Sequence, residues 1–225
     1  MSPRPLTLGV LLSTLAACAS AGSTPGSAVA AQSMSDTAFF TIDSTHARYV
    51  PAGFGTLRQD DIALKIGLPG VQVRVVPLDE TVLRLLAPDS YRALHDLVEN
   101  RRDALLAIAR RYTLRNPSLW YVSFYGVQQD ARFNPTELVI ATSSREHRPI
   151  DLVPLTPGFG EQRLQQRETQ SAIIVMEEID TAQPFTVQME GIRNRAWETT
   201  LRIIERERAL VRSRAAGERP PTPGS

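Results

Sequence analysis

The side chains most able to do chemistry are scattered along this chain. His46, His95 and His147 fall in a loop, a helix and a second loop, and no pair has the close spacing of a metal-binding H-x-x-x-H. His95 follows Leu94 in a helical pattern and reads as a surface residue. Ser123 lies inside Leu119–Val127 (LWYVSFYGV) without the sharp small-residue turn that exposes a nucleophilic serine. Glu177, Glu178 and Asp180 form a compact acidic group at a strand end. Neighbours on a strand point to opposite faces, so Glu177 and Glu178 would not face one another as an acid–base pair. No catalytic motif is found, and neither a metal nor a cofactor is expected.

A local echo stands out instead. Pro51-Ala52-Gly53-Phe54-Gly55 continues to Arg58, and Pro157-Gly158-Phe159-Gly160 continues to Arg163. Gly-Phe-Gly lets the backbone turn sharply around an aromatic ring. If both loops share one end of the fold, Phe54 and Phe159 would form a binding lip flanked by Arg58 and Arg163. Otherwise each phenylalanine covers the core separately. Neither loop has the G-x-x-x-x-G-K pattern of a phosphate loop.

The chain has 225 residues and a formal net charge of +1. It is long enough to bury a core of its own. Its balanced charge argues against nucleic acid as a partner. Cys18 is the only cysteine, so no internal disulfide can form. Arg4 precedes the apolar stretch Leu6–Leu15, which is too short to span a bilayer and suits the apolar part of an export signal.

That stretch ends in Leu15-Ala16-Ala17-Cys18. The segment resembles the lipobox of bacterial lipoproteins, in which a branched apolar residue and two small ones precede the lipidated cysteine. The resemblance covers about the first twenty residues. It implies a signal peptide over residues 1–17, lipidation of Cys18 and export to the cell envelope. Ala19 stands where an aspartate often retains such proteins in the inner membrane, so outer-membrane delivery is implied in a two-membrane cell. Residues 18–35 are rich in Ala, Ser and Gly and read as a flexible tether. The expected partners are the membrane, through the lipid, and another envelope protein, a glycan or a lipid.

The elements that must position any site follow from periodicity. Residues 61–77 read as a hairpin, because Ile62, Leu64, Ile66 and Leu68, then Val71, Val73 and Val75, alternate with other residues around Pro69-Gly70. Phe39–Ile42 and Arg48–Val50 suggest earlier strands. Asp79 can cap a short helix that Pro88 ends, and Asp89 a longer one of about six turns through Tyr112. Leu119–Val127 is apolar on both faces, as a strand covered on both sides should be. Leu138–Ile140, Ile150–Val153, Ala172–Met176 and Phe185–Met189 add strands, and Asn194–Arg212 is helical.

The expected fold is α+β: an antiparallel, sandwich-like assembly, Ig-like in one variant, with one long inserted helix and a C-terminal helix. One domain over 36–214 with a disordered tail at 215–225 is expected, the alternative being a split at residue 116. The expected role is a non-catalytic binding or structural module of the envelope, the alternative being an envelope hydrolase whose active site is assembled from distant residues.

Overall fold

A computed structural model describes residues 50–217. The expected leader, Cys18, the tether, His46 and the strand at Phe39–Ile42 lie outside the described residues, as does most of the expected tail.

The hairpin forms as its alternation predicts. Strands β1 (Leu64–Leu68) and β2 (Val71–Pro77) pair antiparallel, from Leu64 opposite Val75 to Leu68 opposite Val71. Gly70 takes φ 76°, the left-handed value that the third residue of a type II turn requires. On its other side β2 pairs with β3 (Ser118–Gly126). That strand pairs in turn with β9 (Thr169–Met176), and β9 with β7 (Asp151–Pro154). The result is a five-stranded antiparallel sheet in the order β1-β2-β3-β9-β7.

A second sheet has the order β11 (Ile192–Asn194), β10 (Thr186–Met189), β5 (Val139–Ala141) and β6 (Glu146–His147). A two-stranded ladder joins β4 (Ala131–Arg132) to β8 (Arg163–Leu164). The short strands β4, β6, β8 and β11 are not foreseen in the periodicity, since two or three residues carry almost no alternation. Asn194 Nδ2 donates to the Lys65 carbonyl at 2.8 Å, which links β11 to the free edge of β1.

One face of β3 is wholly buried: Trp120, Val122 and Phe124 have no exposed surface. They join Val187, Met189 and Ile140 of the second sheet in one core cluster. The other face changes along the strand. Leu119 is buried, Tyr121 and Ser123 are half-buried and Tyr125 is exposed. Cover on both sides, as expected for LWYVSFYGV, therefore holds only at the start of the strand.

The helices are α1 (Glu80–Leu83), α2 (Pro88–Glu99), α3 (Arg102–Arg111) and α4 (Trp197–Gly217). Asp79 caps α1 as expected. Pro88 opens α2 rather than ending the helix before it, because the first helical position needs no backbone N–H. The single long helix of the sequence reading is divided at Asn100-Arg101. A continuous helix would carry the apolar stripe of Leu94 and Val98 through Arg101 and Arg102 before reaching Leu105. Breaking it keeps the two guanidinium groups off that stripe while both apolar faces reach the core. Helix α4 runs on to Gly217, past the expected end at Arg212, and buries Trp197, Ile204 and Val211. Phe185 stacks on Trp197 at 4.7 Å and meets Trp120 edge-on at 5.3 Å.

Candidate ligand cleft

Antiparallel pairing brings the end of β2, the start of β3 and the end of β9 to one end of the larger sheet. Three segments adjoin those ends: Leu78–Leu83 after β2, Asn116–Ser118 at the start of β3, and Glu178–Thr181 after β9. With α2 they enclose a cleft of about 300 Å³, within the range of small-ligand sites. Leu83, Val98, Pro117 and Ile179 supply apolar wall.

The polar groups are held in place by the frame. Asp79 Oδ1 accepts from the Thr81 amide and the Thr81 hydroxyl, each at 2.8 Å. Its Oδ2 accepts from the Thr181 hydroxyl. Thr181 is itself fixed, since its carbonyl accepts from Trp197 Nε1 at 2.9 Å. Ser118 Oγ accepts from the Ile179 amide at 2.7 Å and donates to the Ile179 carbonyl at 3.4 Å.

Glu80 anchors a second group. Its Oε1 accepts from Arg84 Nε and from the Tyr91 hydroxyl, both at 2.8 Å, and its Oε2 lies 3.4 Å from His95 Nδ1. Tyr91 and His95 sit one turn apart on α2 and stack at 5.2 Å. Burial, then the hydrogen bond to Glu80 and that carboxylate's charge, push the Tyr91 phenol up to about 12, with Arg84 opposing. Glu99, on the rim, is held below the usual carboxylate range chiefly by its hydrogen bonds from Arg102.

The echo residues lie elsewhere. Phe159 is 3% exposed and packs against Phe133 at 5.4 Å and Phe124 at 6.0 Å. Phe54 is half-buried, and its carbonyl accepts from Arg214 of α4 at 2.7 Å. No ring contact joins the two phenylalanines among the described residues. Arg58 pairs with Asp61 and Arg163 with Asp130, both on the surface.

Of the other singled-out residues, Ser123 is half-buried in the middle of β3 and does not line the cleft. Glu177 pairs with Arg145 at 2.6 Å, while Glu178 lines the cleft. His147 is buried in β6, and burial, helped by the charge of Arg145, lowers its imidazole. His95 is not a plain surface residue, since it belongs to the cleft wall. Asp79 is marked in the sequence only as a helix cap, and Glu80, Ser118, Trp120 and Thr181 carry no local motif. The one sequence signal for the group around Glu80 is the helical spacing of Tyr91 and His95. Among the described residues no group of three or more His, Cys, Asp or Glu side chains could hold a metal ion. Comparison with protein-family models, curated proteins and solved structures finds no match for this chain.

Proposed function

We propose that this protein is a lipid-anchored module of the bacterial cell envelope that holds a ligand in the cleft at the end of its larger sheet. Cys18 would carry the lipid and residues 18–35 would let the folded part stand away from the membrane. The observation that carries the binding role is the fixed state of the cleft's polar groups. Asp79 and Ser118 are already bonded to the frame, so a ligand meets a rigid surface and less ordering entropy opposes it. Ser118 is tied to the backbone of Ile179 through both its hydrogen and its oxygen, an arrangement suited to joining segments rather than to nucleophilic attack.

One observation favours the alternative, an envelope hydrolase. Glu80 Oε2 lies near His95 Nδ1, as a carboxylate that orients a general base does. The two readings separate in one comparison of the natural chain, Cys18→Ala, Glu178→Arg and His95→Ala. Labelled fatty acid should enter all but Cys18→Ala. Crosslinking in intact envelopes should retain a species that Glu178→Arg loses. Equal retention by both would remove the cleft from the binding role. Turnover in a panel of ester, glycoside and peptide substrates, lost in His95→Ala, would replace the binding reading with the hydrolase.

A further inference from the structure

The second Gly-Phe-Gly loop leads to a place the cleft does not use. Phe159 and Phe133 pack with Phe124 in one aromatic cluster. That packing holds the chain just after Phe159 and just before Phe133, and the Phe133 amide donates to the Gln162 carbonyl at 3.2 Å. The ladder formed there by β4 and β8 sets Arg132 directly opposite Arg163. Their ladder neighbours Ala131 and Leu164 are buried, so both guanidinium groups stand on the outer side. Like charges directly opposite on a ladder destabilise it. Asp130 answers only one of the two, at 3.4 Å from Arg163, and Arg132 has no ion pair among the described residues.

Both arginines line an open pocket of about 440 Å³. It shares no lining residue with the cleft. It adjoins the other end of β3, where a Cβ on Gly126 would stand 3.1 Å from that of Leu164. The rest of its polar wall is Asn134, Glu161, Gln162 and Glu190. All six side chains end in planar groups, able to meet two neighbouring atoms of a ligand at once. The oxygen of the Asn134 amide is taken by Thr136, which leaves its NH₂ group to donate. Among the described residues the side chains of Glu161, Gln162 and Glu190 make no hydrogen bond, and neither glutamate pairs with an arginine. Phe133, the apolar member of the wall, is 3% exposed, so burial of apolar surface adds little.

We infer that this pocket takes an acidic saccharide, a sugar unit whose carboxylate bridges Arg132 and Arg163 while its hydroxyls meet Glu161, Glu190, Gln162 and Asn134. A bare anion would satisfy the arginines and be repelled by the two glutamates. A neutral sugar would leave the repulsion between the arginines in place. A carboxylate with hydroxyl donors beside it answers both sets of charges. The pocket is separate from the cleft, so the binding role proposed there stands or falls by itself.

The test uses the full chain labelled with ¹⁵N and four probes: tri-galacturonate, its methyl ester, tricarballylate and 6-aminohexanoate. Tri-galacturonate should move the backbone amides of residues 132–134 and 161–163 in a saturable way and leave those of 178–181 in place. The methyl ester, which lacks the charge, should bind about tenfold more weakly. Tricarballylate, an anion without hydroxyls, should do the same. Arg132→Gln and Arg163→Gln should each weaken tri-galacturonate by about tenfold. Both positions are exposed, where ion pairs contribute little to folding, so unchanged amide spectra elsewhere would tie the loss to the contact itself.

Equal binding of the ester, or no loss in either arginine variant, overturns the bridged carboxylate. Equal or tighter binding of tricarballylate or of the zwitterion 6-aminohexanoate overturns the sugar. Shifts confined to residues 178–181 would move the ligand to the cleft and remove this site. If no probe shifts any of these amides at millimolar concentration, the inference fails, and the cleft is still judged by whether Glu178→Arg loses the crosslinked species.

Discussion

In the loop at 51–55, Phe54 is half-buried and its carbonyl is held by Arg214. In the loop at 157–160, Phe159 is inside the core against Phe124 and Phe133. The first glycine of each behaves alike, with φ 93° at Gly53 and 79° at Gly158. The second glycine does not. A Cβ on Gly55 would stand 2.2 Å from the carbonyl carbon and oxygen of Leu85, whereas one on Gly160 would meet nothing within 4 Å.

The first loop is therefore clamped by backbone. Leu57 bonds to the carbonyl of Leu85, Ala87 bonds to that of Leu57, and Thr56 donates twice to the buried carboxylate Glu207. The second loop is held by a ring in a hydrophobic cluster. A shared Gly-Phe-Gly thus dictates a local bend but not its use. Surroundings brought in from distant parts of the chain decide which atom of the motif matters.

Substitutions in the two loops should separate these uses. Phe159→Ala should have the largest effect, about 4 kcal/mol, by opening a cavity among aromatic rings. Phe54→Ala should cost about 1.5 kcal/mol, because that ring is only partly buried. Urea midpoints of the two variants check the difference, and equal losses would break the comparison. Gly55→Ala should cost about 3 kcal/mol, since backbone must move to admit the methyl group, whereas Gly160→Ala should stay within about 0.5 kcal/mol. The same titrations measure this pair.

Acid sharpens the contrast further. Burial alone would push the Glu207 carboxyl up, but hydrogen bonds from Arg214 and from the Thr56 hydroxyl and amide outweigh it and hold the group below the usual carboxylate range. Its folded value thus lies under its unfolded one. The stabilisation is complete above about pH 4.3 and is lost as pH falls through the folded value. Glu207→Gln should cost about 2 kcal/mol at neutral pH, by weakening charge-assisted hydrogen bonds. The gap in urea midpoint between it and the natural chain should narrow as pH falls below the usual carboxylate range. A constant gap would show that the first loop is not held through ionised Glu207.

The smallest effects belong to the arginines that follow the loops. Arg58→Ala and Arg163→Ala should each change thermal stability by no more than about 0.5 kcal/mol, as exposed ion pairs do. If either exceeds that by a wide margin, the loops are tied to the fold by charge as well as by packing.

Much of the frame is legible in the residues. The 64–77 hairpin follows from its alternation and from Pro69-Gly70, and α1 from the capping side chain of Asp79, because both are set within a few residues. The break between α2 and α3 is legible only in hindsight, once the arginines at 101 and 102 are seen to interrupt the apolar stripe. The cleft is less legible still. His95 has the same surroundings in sequence as any surface histidine, and Glu178 those of any strand end.

Local alternation, turn chemistry and capping determined the antiparallel strands, the C-terminal helix and thus the α+β class, because each is an interaction between near neighbours. Only the tertiary structure decided that Asp79, His95, Ser118, Trp120, Glu178 and Thr181 share one cleft. The physical reason is that antiparallel pairing gathers the ends of β2, β3 and β9 at one edge, joining residues about a hundred positions apart whose spacing along the chain carries no period. Distant parts of the chain likewise set the two Gly-Phe-Gly loops against different neighbours, the helical segment at Leu85 and α4 for the first and the aromatic core for the second, so one echo in the sequence became two different contacts in the fold.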